Sequence, residues 1–233
     1  MLSNYWVFLT LTLALLAFLS YGTYATARLL QHWRPDRNLL LIPEENLLRL
    51  LLVAGCVVLG LVSGLPLTQL GWTMTNTWSQ LGWGVLWGSA LALFFYGATR
   101  WLVQRTGQRF YSSVVIQTIT PRNGRELFGV LLSLISVVFL EELLFRSLLI
   151  GGLTPLAPAS LLLVVWGIVF GLLHSPQGIW GMLGAGLAGL LFGILFVTQG
   201  SLLLPLVAHY VANALQVLQA MRLRDTPFFE NSN

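Results

Sequence analysis

Apolar stretches of about twenty residues recur along this chain, and they restrict its fold more than any other feature does. At 1.5 Å per residue, roughly 20 helical residues cross the ~30 Å hydrocarbon core of a bilayer. The stretches fall at roughly 5–28, 47–64, 82–103, 126–151, 158–174, 180–198 and 201–221. Hydrocarbon offers no partner to a free backbone N–H or C=O, so segments this long and this apolar are helices and not open sheet. The expected fold is all-α: a polytopic transmembrane helix bundle of about seven spans, with eight as the alternative count.

Composition agrees. Of 233 residues, 56% are hydrophobic and only 9% charged, whereas soluble domains carry about 25% charged residues. A chain of this size forms one bundle with decorations. Net charge is +4, from twelve Arg, no Lys and eight acids. A basic balance also occurs in nucleic-acid binders, but here the arginines sit beside apolar stretches, which points to orientation in a membrane and to no nucleic acid. The single Cys56 excludes an intramolecular disulfide, and CxxC motifs are absent. The first stretch has no basic residue before it and is long for a signal peptide, so a retained helix is expected despite the small-residue sequence Ala25-Thr26-Ala27.

The connections sort by charge. Segment 28–49 holds Arg28, Arg34, Arg37 and Arg49; segment 100–125 holds Arg100, Arg105, Arg109, Arg122 and Arg125; the tail holds Arg222 and Arg224. Segment 63–81 and the turns 152–157 and 199–201 carry no charge. The positive-inside rule then sets the N-terminus outside and the C-terminus in the cytoplasm, a parity that seven crossings satisfy. Trp72, Trp78, Trp83 and Trp87 flank the uncharged loop as an expected aromatic belt. Gly181, Ala185, Gly189 and Gly193 recur every four residues and predict a face that another helix approaches closely.

Ionisable groups deep in a bilayer cost roughly 2.5–3.5 kcal/mol each on insertion scales, so they tend to be functional. Here they are few: Glu141, Glu142 and Arg146 in the fourth stretch, His174 at the end of the fifth, and His209 beside Asn213 in the seventh. Residues four apart share a helix face, so Glu142 can pair with Arg146 while Glu141 points about 100° away and stays free. His209 and Asn213 present an imidazole and an amide along one face, as Phe170 and His174 present a ring and an imidazole. Taken singly, these residues read as structural: an ion pair tying helices, a hydrogen-bonded histidine, and an asparagine acting as polar glue.

Together they carry a resemblance. Glu141-Glu142-Leu143-Leu144-Phe145-Arg146 resembles the EExxxR motif of the CAAX prenyl protease and bacteriocin-processing (CPBP) family of intramembrane proteases. Phe170-Gly171-Leu172-Leu173-His174 resembles that family's FxxxH, and His209-Tyr210-Val211-Ala212-Asn213 its HxxxN. The motifs occur in the family's order over roughly 125–220. The resemblance divides the chain into N-terminal helices (1–124), a catalytic core (125–221) and a cytoplasmic tail (222–233). Many family members place Gly after the motif arginine, where this chain has Ser147; that changes local packing and not the chemistry.

The resemblance implies an intramembrane endopeptidase acting on a peptide or protein substrate, in or at membrane lipid. Hydrolysis needs an activated water, a proton donor and oxyanion stabilisation. A carboxylate in an apolar cavity becomes a stronger base, so Glu141 with His174 is expected to activate the water, with His209 and Asn213 on the oxyanion and Glu142 and Arg146 as charge-paired support. No cofactor is favoured. The zinc alternative would use Glu141, His174 and His209 as ligands with one position open, but HExxH is absent. The other class of function is non-enzymatic: a bacteriocin immunity factor, scaffold or transporter. A bacterial inner membrane is the expected location. One geometric difficulty stands out. A straight fourth span starting near Arg125 puts Glu141 about 24 Å along it, while His174 would sit at the cytoplasmic end of the fifth, so the two meet only with a tilt, a break or a buried start.

Overall fold

The computed structural model describes residues 2–30, 32–33, 35–107, 109–110 and 112–224, so residues 225–233 of the tail lie outside it. All regular structure among the described residues is helical: α1 (Leu2–Leu30), α2 (Pro43–Val62), α3 (Thr77–Thr106), a short α4 (Val114–Ile119), α5 (Gly124–Glu142), α6 (Ala159–Leu173), α7 (Gly178–Gln199) and α8 (Leu203–Leu223). After Glu142 the α5 rod widens into a π-helical stretch, Leu143–Ile150, and then tightens into a 3-10 turn, Gly151–Leu153.

Local chemistry explains the helix ends. Pro43 opens α2 and Glu44 and Glu45 occupy its first turn, where the missing N–H is harmless and negative charge meets the helix dipole. Asn123 caps α5 by accepting from the Glu126 N–H at 3.0 Å, and the Glu126 carboxylate accepts from the Arg122 N–H at 2.8 Å. Gly200, at φ 60°, closes α7 in the left-handed conformation that glycine adopts without strain.

Six helical runs are long and apolar enough to cross a bilayer: Asn4–Leu30, Pro43–Val62, Thr77–Thr106, Gly124–Leu153, Ser175–Gln199 and Leu203–Leu223. A polytopic helical bundle is thus the fold. The remaining expected stretch, 158–174, is helical too but short. The fifteen residues of α6 extend about 22 Å, less than the ~30 Å of a hydrocarbon core.

Small residues set how closely the helices pack. A Cβ on Gly171 of α6 would lie 2.6 Å from the Met182 carbonyl oxygen of α7, and one on Gly189 would lie 3.0 Å from Phe170. Gly193 likewise faces Leu163, so the expected stripe on α7 does meet a neighbouring helix, but Gly181 only makes room for Gln177 of its own turn. A second contact of this kind, α3 on α8, has Gly84 against Val207 and Gly88 against the Ala208 carbonyl.

The uncharged loop after α2 folds inward over one end of the bundle. Ser147 donates to the Leu70 carbonyl at 2.8 Å, Gln69 donates to the Gly151 carbonyl at 3.1 Å, and the Leu202 N–H donates to the Gly71 carbonyl at 2.8 Å. Trp72 follows the loop inward. Its ring lies where a Cβ on Gly60 would be, while Trp78, Trp83 and Trp87 stay exposed. The aromatic belt therefore loses Trp72, because the loop that carries it seals the bundle end and does not lie along the interface.

Candidate active site

The short α6 resolves the depth difficulty. It starts at the end of the bundle sealed by the loop and stops after about 22 Å, part-way through. The α6–α7 turn is covered there by the segment before α4: the Ser112 N–H donates to the Gln177 carbonyl at 3.0 Å and the Trp180 N–H to the Phe110 carbonyl at 2.9 Å. His174, at the end of α6, thereby reaches the level of Glu141, which sits just before the π-helical widening, and both line one small cavity of about 160 Å³.

A larger cavity of about 1100 Å³ contains Glu141, His174, His209 and Asn213 in its wall. Three separate helices, α5, α6 and α8, thus bring these four side chains to one space. The wall is drawn from 18–30, 39–52, 91–104, 112–119, 134–141, 170–192 and 209–223. All of these segments lie toward one end of the bundle, opposite the sealing loop.

Behind the cavity wall lies a buried polar cluster. Glu142 and Arg146 are 0% and 1% exposed and approach to 3.1 Å between Oε1 and Nη1, one helical turn apart. Their alignment makes this a charge contact and not a hydrogen bond, since Nη1 has no hydrogen-bond acceptor. Arg146 Nη2 donates to the Gly189 carbonyl of α7 at 3.0 Å. The guanidinium is also enclosed by the rings of Phe170 and Phe192, at 4.9 and 5.4 Å from their centroids. Phe170 is a packing residue: it touches Phe145, His174 and Arg146.

His209 links the cluster to the cavity. Its Nδ1 lies 2.7 Å from Glu142 Oε1 and its Nε2 lies 3.5 Å from Glu141 Oε2. The imidazole stacks on Phe192 at 4.7 Å and 22°, which fixes its plane. An ionised carboxylate only accepts, so Nδ1 carries the proton toward Glu142. His174 is oriented in a similar way. Its Nδ1 lies 2.7 Å from the Phe170 carbonyl, which also only accepts, so in the neutral ring Nε2 keeps a free lone pair. The Asn213 amide makes no hydrogen bond to the described residues, and Glu141 keeps 28% of its side chain exposed.

Sequence reasoning paired Glu142 with Arg146, and the structure has that pair. It missed that Glu142 also holds His209; no spacing rule relates residues 67 apart. It missed Phe192 for the same reason. Arg49, counted with the basic connection 28–49, instead lies within α2 and in the cavity wall. Ser147 fills the position of the family's glycine with a buried hydroxyl that ties down Leu70.

As a metal site the set fits poorly. No three His, Cys, Asp or Glu side chains among the described residues converge to hold an ion. Glu141 and His209 approach each other, but His174 does not join them as a third ligand.

A family model described as type II CAAX prenyl endopeptidase Rce1-like matches residues 123–215. No curated protein and no solved structure matches the chain. The matched segment holds all three motifs, from α5 through most of α8. Over residues 123–215 the chain is thus similar to the Rce1-like type II CAAX prenyl endopeptidases, in line with the resemblance that its motifs carry.

Proposed function

We propose that this protein is an intramembrane endopeptidase that hydrolyses a peptide bond with a water activated by Glu141 and His174. The observation that carries this reading is the shared cavity: a partly exposed carboxylate, two imidazoles and an amide from three helices border one space. Glu141 takes a proton from the water as the oxygen attacks the scissile carbonyl carbon. His174, with Nε2 free, accepts a hydrogen bond from the same water, then takes the proton from Glu141 on Nε2 and delivers it to the leaving amine as the C–N bond breaks. The oxyanion is met by the Asn213 amide N–H and by His209 Nε2–H. For His209 to donate there, both its nitrogens carry protons, with Nδ1–H held by Glu142. Glu141, Glu142, Arg146 and His209 then sum to zero charge, which suits a group of ions away from bulk water.

On this reading residues 125–221 form the catalytic core and 1–124 supply further cavity wall. A bacterial inner membrane with the C-terminus in the cytoplasm remains the proposed setting. The transport alternative needs a cavity continuous between the two membrane faces, and the cavity wall comes from one end of the bundle only. The experiment is comparative membrane proteomics of cells carrying the wild-type protein or Glu141→Ala. Peptides cleaved only in the wild type are expected; identical peptide termini in the two strains would overturn the proposal.

A further inference from the structure

Arg49 is a charge that the reaction described above does not use. It lies in the second turn of α2, outside the segment matched by the family model, and within a helix apolar enough to cross a membrane. Its side chain is only 18% exposed and borders the same cavity as Glu141 and His174. Removing a guanidinium from water is unfavourable unless its donors are matched, and here they are matched poorly. Nη1 donates to Asn46 Oδ1 at 3.1 Å, and Nη2 lies 3.7 Å from Glu45, a carboxylate that is itself 52% exposed. No other hydrogen bond from this guanidinium occurs among the described residues. Its atoms are not sealed in protein either, as those of Arg146 are. Arg49 therefore has spare N–H donors bordering the cavity whose wall also holds Glu141.

We infer that Arg49 binds a carboxylate of the peptide substrate and so fixes where the peptide lies relative to Glu141. A guanidinium presents paired N–H groups that match the two oxygens of a carboxylate, and the fit is strongest where water is scarce. Neutralising the incoming charge also keeps it from repelling Glu141, the carboxylate that activates the water. The cavity is large enough for this, since a volume of about 1100 Å³ is at the upper end of pockets that enclose drug-sized ligands. The opposing view is that Arg49 extends toward the bilayer surface as a membrane anchor. That role gives it no preference for any substrate. The inference rests on the proposed function for the ligand being a peptide, and it adds a binding residue that the hydrolytic step does not require.

The test is binding of an N-dodecanoyl Ala-Leu-Leu peptide with a free C-terminal carboxylate, of its C-terminal amide, and of an amide carrying one internal Glu. Binding is measured as ligand-induced stabilisation of the full-length purified protein, on wild type and on Glu141→Gln so that hydrolysis plays no part. The free acid, or the Glu-containing amide if the bound carboxylate is a side chain, is expected to bind about tenfold or more tightly than the plain amide. In Arg49→Gln that preference falls to about twofold or less, and Arg49→Lys, which retains charge without the paired geometry, lies between. Equal binding of all three peptides by wild type, no binding of any, or a preference unchanged in Arg49→Gln would each overturn the assignment. Because the readout is binding, failure of the hydrolytic reading shows separately, as an absence of cleaved product with wild-type protein.

Discussion

His209 and Glu142, 67 residues apart, are joined by a hydrogen bond of 2.7 Å between Nδ1 and Oε1. Glu142 therefore has two tasks: it balances Arg146, and it orients the imidazole whose other nitrogen stands 3.5 Å from Glu141. The two carboxylates of the Glu-Glu pair have diverged in environment. Glu142 is wholly buried behind the cavity wall and Glu141 borders the cavity.

Replacing Glu141 with Gln keeps the size and polarity of the side chain and removes the carboxylate proposed as the base. Loss of a general base reduces rate by roughly 10²–10⁴-fold. Cleavage of a substrate identified by proteomics should fall by at least that much, while the thermal midpoint in detergent changes little because the Glu141 side chain is partly exposed and its one close contact, His209 Nε2 at 3.5 Å, is long. Full activity in Glu141→Gln would remove it from the mechanism.

Glu142→Ala should be far more damaging to folding. It strands Arg146 and the His209 Nδ1–H in the core, and breaking a buried pair costs about 3–5 kcal/mol. Combining Glu142→Leu with Arg146→Met removes both charges together and should restore most of the stability. Activity should stay low in the double variant, because His209 has lost its holder. Thermal unfolding and cleavage, measured side by side, separate the two tasks; a stable, fully active double variant would assign Glu142 to structure alone.

Two glycines in helices should respond in opposite directions to alanine. Gly171→Ala drives a methyl group toward the Met182 carbonyl, 2.6 Å away, and forces α6 and α7 apart at a cost of about 1–3 kcal/mol. Gly22→Ala meets nothing within 4 Å and should gain up to about 1 kcal/mol of helix propensity. Unfolding midpoints of the two purified variants check this, and equal shifts would contradict the close α6–α7 approach.

The metal-free reading predicts that dialysis against 1,10-phenanthroline leaves cleavage of an identified substrate within about twofold of the untreated protein, as expected for a base that needs no ion. Loss of activity on chelation, with recovery on adding back Zn²⁺ and not other divalent ions, would move Glu141, His174 and His209 to the ligand roles considered from the sequence.

Much of this protein was legible without coordinates. A stretch of twenty apolar residues has only one way to satisfy its backbone in lipid, so the helices and their approximate positions follow from hydropathy alone. Residues four apart on one helix are neighbours whatever else happens, which is why Glu142–Arg146 and His209–Asn213 could be paired as faces in advance. The glycines of α7 announced a close contact, although not that Gly181 would serve only its own turn.

Tertiary structure alone decided the rest. It set where α6 stops, and so the depth at which His174 meets Glu141. It turned Trp72 inward, drew Arg49 into the cavity wall, and placed His209 between two adjacent carboxylates. Each of these depends on which helices lie side by side and at what relative height. Hydropathy is blind to both, because lipid accepts an apolar helix at any rotation and beside any neighbour. Glycine contacts, buried charge and the inward-folded loop choose among those arrangements, and they act between residues far apart in the chain.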